Sequence, residues 1–153
     1  MSTEGESTVS VFQRILVAVD PDPARLSAIR LAGDLAKLTN AEVRVLHVIA
    51  SAASLATVVA LEDDTEGKAV VDEALAILAE KGVRAEGSLT RGLTTQVAES
   101  ITESAEAFGA DLIILTPHHR GSVEALFNPR VSDAVAHRTG AAVLLAPEGP
   151  AEA

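Results

Sequence analysis

The chain has 153 residues, 48% of them hydrophobic, with 12 Lys and Arg against 22 Asp and Glu and a formal charge of −10, the size of one ordinary domain built on a single core. It holds no Cys, Trp or Tyr and only three Phe, which excludes disulfide staples, thiolate metal centres and thiol nucleophiles. Acidity and scarce aromatic rings together also exclude the cation clusters and stacking platforms of nucleic-acid binding, so no nucleic-acid partner is expected.

Residues 1–11 open with MSTEGESTVS, acidic and hydroxyl-rich without the basic start and apolar run of a secretory signal, and read as a disordered tail. Charged residues break every apolar run well before the roughly 18 residues a bilayer span needs. A cytoplasmic protein with no membrane partner is expected.

Arg14–Asp20 is a β-branched run that predicts a buried strand, and Pro23–Leu38 carries Ala28, Ile29, Ala32, Leu35 and Ala36 at the spacing of one helix face. Glu42–Ile49 predicts a second strand. The small-residue stretch Ala50–Asp64 that follows reads as a mobile crossover segment. Thr65 to about Lys81 predicts a helix with Val70, Ala74, Ile77 and Leu78 inward and Gly82 as its stop. Val83–Thr90 is a more polar strand. A helix then starts at Thr94 or Thr95 with Val97, Ile101, Ala105 and Phe108 on one face, ended by Gly109. Leu112–Leu115 is the most apolar strand and is placed near the sheet centre. The last unit is a helix from about Pro129 to Arg138, Gly140 as its stop, and the strand Ala142–Ala146 closed by Pro147. Asp111 is expected to cap the start of its strand, and His47 to be a satisfied strand histidine. His137 is expected to be exposed or at an interface.

Five strands alternating with four helices predict an α/β fold, a parallel sheet covered on both faces by right-handed crossovers. With the strand order 3-2-1-4-5, a crevice opens at the carboxyl ends of the first and fourth strands, where such folds bind ligands. Those ends are Asp20 and Thr116. Asp20 has two readings, a ligand contact in the crevice or a cap on the turn at Pro21–Pro23. Thr116–Val131 reads TPHHRGSVEALFNPRV, which sits where a nucleotide-binding protein holds phosphates.

The segments RILVAVD, VRVLHVI, GADLIIL, the loop after them and the closing AAVLLAP, in that order and spacing, resemble the universal stress protein family over about Phe12–Pro147. The resemblance implies a Rossmann-like fold of the adenine nucleotide alpha hydrolase-like type, with a family domain at 12–147 between the 1–11 tail and a 148–153 tail. It also implies a homodimer through the last strand, Ala142, Val143, Leu144, Leu145 and Ala146, and a division into members that bind ATP and members that do not. In the binders a glycine, two residues, a glycine, nine residues and a glycine with Ser or Thr surround the phosphates. Those positions are Thr116, His119, Pro129 and Arg130 here, and all four depart from the pattern. Glycine permits positive φ and close backbone approach, whereas His119 adds a ring and Pro129 removes an N–H. Asn128 before Pro129 reads as an N-cap with a first-turn proline, so the helix start satisfies its own donors. Against that, His118, His119, Arg120 and Arg130 are side-chain donors able to meet an anion. The adjacent histidines lack a third ligand in sequence, so no metal site is assigned. By resemblance, Asp20 lies beside the adenosine half of a ligand and Val48 offers its backbone to adenine. The candidate crevice is therefore Ala18, Asp20, Val48, Thr116, His119, Arg120, Pro129, Arg130 and Val131.

Catalytic motifs are absent. No G-x-S-x-G elbow, no GxxxxGK[ST] loop and no GxGxxG after the first strand occurs. A phosphoacceptor receiver resembles a pattern with Asp ending the third strand and Lys ending the fifth, where this chain reads Leu89–Thr90 and Ala146–Pro147. The expected function is a non-enzymatic, homodimeric stress-response protein with no bound cofactor and weak or absent ATP binding. The alternative is an adenine-nucleotide sensor or slow ATPase that holds ATP or AMP with Mg through a rebuilt His/Arg loop. Docking of a protein partner on Ala50–Asp64 is compatible with the first of these.

Overall fold

The structure, a computed structural model, describes residues 11–54, 57–60, 64–116 and 129–147. The elements run β1 (Arg14–Val19), α1 (Arg25–Thr39), β2 (Glu42–Ser54), β3 (Thr57–Ala60), α2 (Asp64–Glu80), β4 (Ala85–Leu93), a 3-10 turn (Thr94–Gln96), α3 (Val97–Phe108), β5 (Leu112–Leu115), α4 (Pro129–Arg138) and β6 (Ala142–Leu145). Five parallel strands lie in the order β4-β2-β1-β5-β6, which is the expected 3-2-1-4-5.

Strand alternation sends side chains to two separate cores. Ile15, Val17, Val19, Val43 and Val45 meet Ala28, Ile29, Ala32, Val70, Ala74 and Leu78 of α1 and α2. Leu16, Ala18, Leu46, Val48, Ile113 and Leu115 meet Val97, Ile101, Ala105, Val131 and Val135 of α3 and α4 on the other face. β1 and β5 are buried throughout except for Arg14, as strands at the centre of a doubly covered sheet must be.

Helix ends follow local chemistry. Gly82 and Gly109 both sit at φ 78° and end α2 and α3 as expected, since positive φ costs glycine nothing. Gly140 does not play that role, because its φ lies outside the left-handed region. There the chain leaves α4 through Thr139, whose Oγ1 accepts the Ala141 N–H at 3.0 Å. Asp111 caps a different strand from the one expected: its two carboxylate oxygens accept the N–H groups of Gln13 and Arg14 at 2.9 and 3.0 Å, at the start of β1 rather than of its own β5.

The stretch Ala50–Asp64 departs from its reading as a mobile crossover. β2 continues to Ser54 and turns back into β3, antiparallel over Ser51↔Ala60 to Ser54↔Thr57. The β-branched residues of Thr57–Ala60 favour a strand, and the overhang of β2 beyond β1 supplies an edge for it to pair with. Ser51 pairs with Leu93 on one edge and Ala60 on the other, so β3 lies on the β1 side of β2, past the end of β1.

Candidate functional site

From β1 the chain winds outward through β2 to β4 with α1 and α2 on one face. It then crosses through α3 to β5 on the other side of β1 and continues to β6. The winding reverses between β1 and β5, whose register runs from Ile15↔Leu112 to Val17↔Ile114. Asp20 and Thr116 are the first residues past these two strand ends, 4% and 3% exposed, at the reversal of winding where doubly wound folds bind ligands.

Asp20 performs the capping role. Its Oδ1 accepts the Asp22 N–H at 3.0 Å, and Asp22 Oδ1 in turn accepts the Ala24 N–H at 2.8 Å, two successive Asx turns that carry the chain into α1. Ala18 and Val48 are buried in the α3/α4 core together with Val131 and form the apolar floor. His47 is fully buried and its Nδ1 donates to the Val19 carbonyl at 2.8 Å, the satisfied strand histidine that was expected. His137 is exposed on α4, with Nδ1 against the Asp133 carbonyl at 2.9 Å.

Two further features belong to this end of the sheet. The edge of β2 facing β1 is paired up to His47 by β1 and again from Ser51 by β3. Among the described residues, no strand lies across Val48, Ile49 and Ala50 on that edge. Beside β5, Thr116 Oγ1 and Ser132 Oγ are buried without a hydrogen-bond partner among the described residues. A buried hydroxyl left unpaired costs on the order of 1–3 kcal/mol, so two in one region call for an explanation.

Pro129 and Arg130 are the first two residues of α4. A helix returning from β5 to parallel β6 starts at the carboxyl end of the sheet, so the first turn of α4 belongs to the crevice. Pro129 occupies the position where a missing N–H is tolerated, and it reduces the donors that the helix presents to an anion. His118, His119 and Arg120 lie outside the described residues. Ser132 escaped the sequence reading. Its signal was a hydroxyl three residues before Val135 on the inward face of the closing helix. Among the described residues no group of three His, Asp or Glu is placed to hold a metal, and no helix is long and apolar enough to cross a membrane.

The sequence pattern of the Universal stress protein family matches residues 12–147. The chain belongs to that family. No curated protein matches the sequence, but solved structures do. A universal stress family protein from Burkholderia pseudomallei is 24% identical with a TM-score of 0.68, over 91% of this chain and 98% of its own. The Archaeoglobus fulgidus universal stress protein in complex with dAMP is 20% identical with a TM-score of 0.68, over 89% and 98%. A family protein from Arabidopsis thaliana with AMP bound is 16% identical with a TM-score of 0.64, over 92% and 94%. At these identities the likeness establishes the Rossmann-like fold.

Proposed function

We propose that the protein is a non-catalytic universal stress protein whose crevice takes a small adenine nucleotide such as AMP in preference to ATP, and which acts as a homodimer. The observation that carries the ligand is the pair of buried hydroxyls, Thr116 Oγ1 and Ser132 Oγ, without a partner among the described residues, toward the end of the sheet where doubly wound folds bind. The unpaired edge of β2 at Val48–Ala50 offers backbone donors and acceptors to the rim of a planar base. The preference for a short phosphate chain follows from the loop, where Thr116, His119, Pro129 and Arg130 replace the residues that wrap longer phosphates in ATP-binding members. AMP and dAMP in two family relatives support a mononucleotide as the natural first ligand. No nucleophile, base and orienting acid come together among the described residues, so binding rather than turnover is assigned.

The test is isothermal titration of the protein, freed of any carried nucleotide, with AMP and separately with Mg-ATP. AMP is expected to bind the more tightly, and Thr116→Val with Ser132→Ala is expected to weaken it by about tenfold, one to two neutral hydrogen bonds. Absence of heat with AMP, or tighter binding of ATP, overturns the reading. A second reading, a family member that has abandoned nucleotides for protein partners, rests on Pro129 at the start of α4 and gains if neither nucleotide binds.

A further inference from the structure

At the amino end of the sheet, opposite the crevice, the α3/α4 face carries a pocket of about 430 Å³ lined by Arg14, Glu42, Arg44, Arg84, Glu86 and Phe108, with Val43 and Ala85 at its base. We infer that this pocket is a second ligand site, for a small oxyanion of carboxylate or phosphate chemistry.

The placement follows from the register. Arg14 pairs with Glu42 across β1 and β2, and Arg44 with Glu86 across β2 and β4, so Arg14 and Glu42 form the first row of a sheet face and Arg44 and Glu86 the next, beside Leu16. α3 ends at Phe108 and leaves that first row uncovered. Both inner guanidinium groups lie over the Phe108 ring, Arg44 at 4.6 Å and Arg14 at 5.4 Å from its centroid. The aromatic contact holds them in place at little further cost in freedom.

Three guanidinium groups meet two carboxylates, so the pocket has a surplus positive charge in a chain of net charge −10. That surplus is not consumed internally. Arg44 gives NH2 to Glu86 at 2.8 Å, while its Nε is buried with no partner among the described residues. Arg14 gives NH1 to the Phe108 carbonyl at 2.9 Å. Arg84, with its side chain 65% exposed, is held among the described residues by long contacts, 3.5 Å to Glu42 and 3.5 Å to the Asn40 carbonyl, and is able to swing inward. A planar or tetrahedral oxyanion accepts from such a set in the paired geometry that guanidinium favours, and the volume falls in the range of small-molecule sites.

The probes are citrate and inorganic phosphate, each titrated calorimetrically into the full chain and into the variants Arg84→Ala, Arg44→Gln and Asp20→Asn. At least one anion is expected to bind with Kd below about 1 mM. Arg84→Ala and Arg44→Gln are each expected to weaken it about tenfold or more, and Asp20→Asn, at the other end of the sheet, to leave it unchanged. Citrate alone binding identifies a carboxylate site, phosphate alone a phosphate site, and both a general oxyanion site. Arg84 is on the surface, so its variant reads binding and not folding. No heat from either anion overturns the inference, as does binding that survives Arg84→Ala and Arg44→Gln or is lost in Asp20→Asn.

Discussion

Single residues in this protein divide into those that satisfy the fold and those that the fold leaves unsatisfied. Asp111 is of the first kind: it holds the start of β1 through two backbone N–H groups. Asp111→Ala is expected to lower stability by about 1–3 kcal/mol, read from urea unfolding, and to leave the crevice at the far end of the sheet unaffected. Thr116 is of the second kind. Thr116→Val keeps the shape and removes an unpaired hydroxyl, so the ligand-free protein is expected to be unchanged or more stable by up to about 1 kcal/mol while AMP binding weakens. A loss of stability on thermal unfolding would show that the hydroxyl serves the fold instead. His47 was legible in sequence as a satisfied strand histidine, and Asp20 in one of its two readings, the cap on the turn into α1; Asp111 was legible as a cap but not as one for β1, since its partners are 97 and 98 residues away. Ser132 and Arg44 were not legible, since burial without a partner depends on what packs around a side chain and no local pattern encodes that.

At the scale of elements, the helices were legible almost to the residue because their apolar spacing and the stops at Gly82 and Gly109 agree. The β2–β3 hairpin was not, because its pairing depends on β2 outrunning β1, a difference in length visible only after the strands are aligned. β4 illustrates packing that sequence hides. A Cβ built on Gly87 would lie 2.4 Å from Val71 Cγ1 and 3.2 Å from Leu75 Cδ1, so this glycine sets how closely α2 approaches the strand. Gly87→Ala is expected to destabilise by about 1–3 kcal/mol through overpacking, measured by chemical denaturation. Among the described residues β6 pairs only with β5, and it carries Leu145 at 49% exposure, an edge of the kind that invites strand pairing with a second copy. Under the dimer proposal, Leu145→Asp is expected to yield monomers in light scattering at micromolar concentration. A wild-type monomer under the same conditions would refute the proposal.

The whole molecule presents two chemically different ends. The carboxyl end holds a crevice with acidic Asp20 and buried hydroxyls, and the amino end holds arginines stacked on Phe108. If AMP occupies the crevice, saturation at about one hundred times Kd is expected to stabilise by about 2.7 kcal/mol, a rise in Tm of roughly 5–10 °C for a domain of this size. Differential scanning calorimetry reads it directly, and the same rise is expected with the amino-end pocket disabled by Arg84→Ala. The alternation of strands foretold the layers, whereas the single core suggested by composition is divided by the sheet into two. The amino-end pocket was beyond reach, because its arginines come from β1, β2 and the residue before β4 and meet only in the folded sheet.

The pairing of β1 with β5 has a consequence in time. Arg14 and Asp111 stand 97 residues apart, yet they join the two central strands, so the seam that forms the crevice closes only after most of the chain has been made. Contacts of such long separation form slowly, and during synthesis β1 waits with one edge open until β5 emerges. Under the nucleotide proposal, a ligand held at that seam is therefore expected to bind only chains in which β5 has docked on β1, and no earlier intermediate.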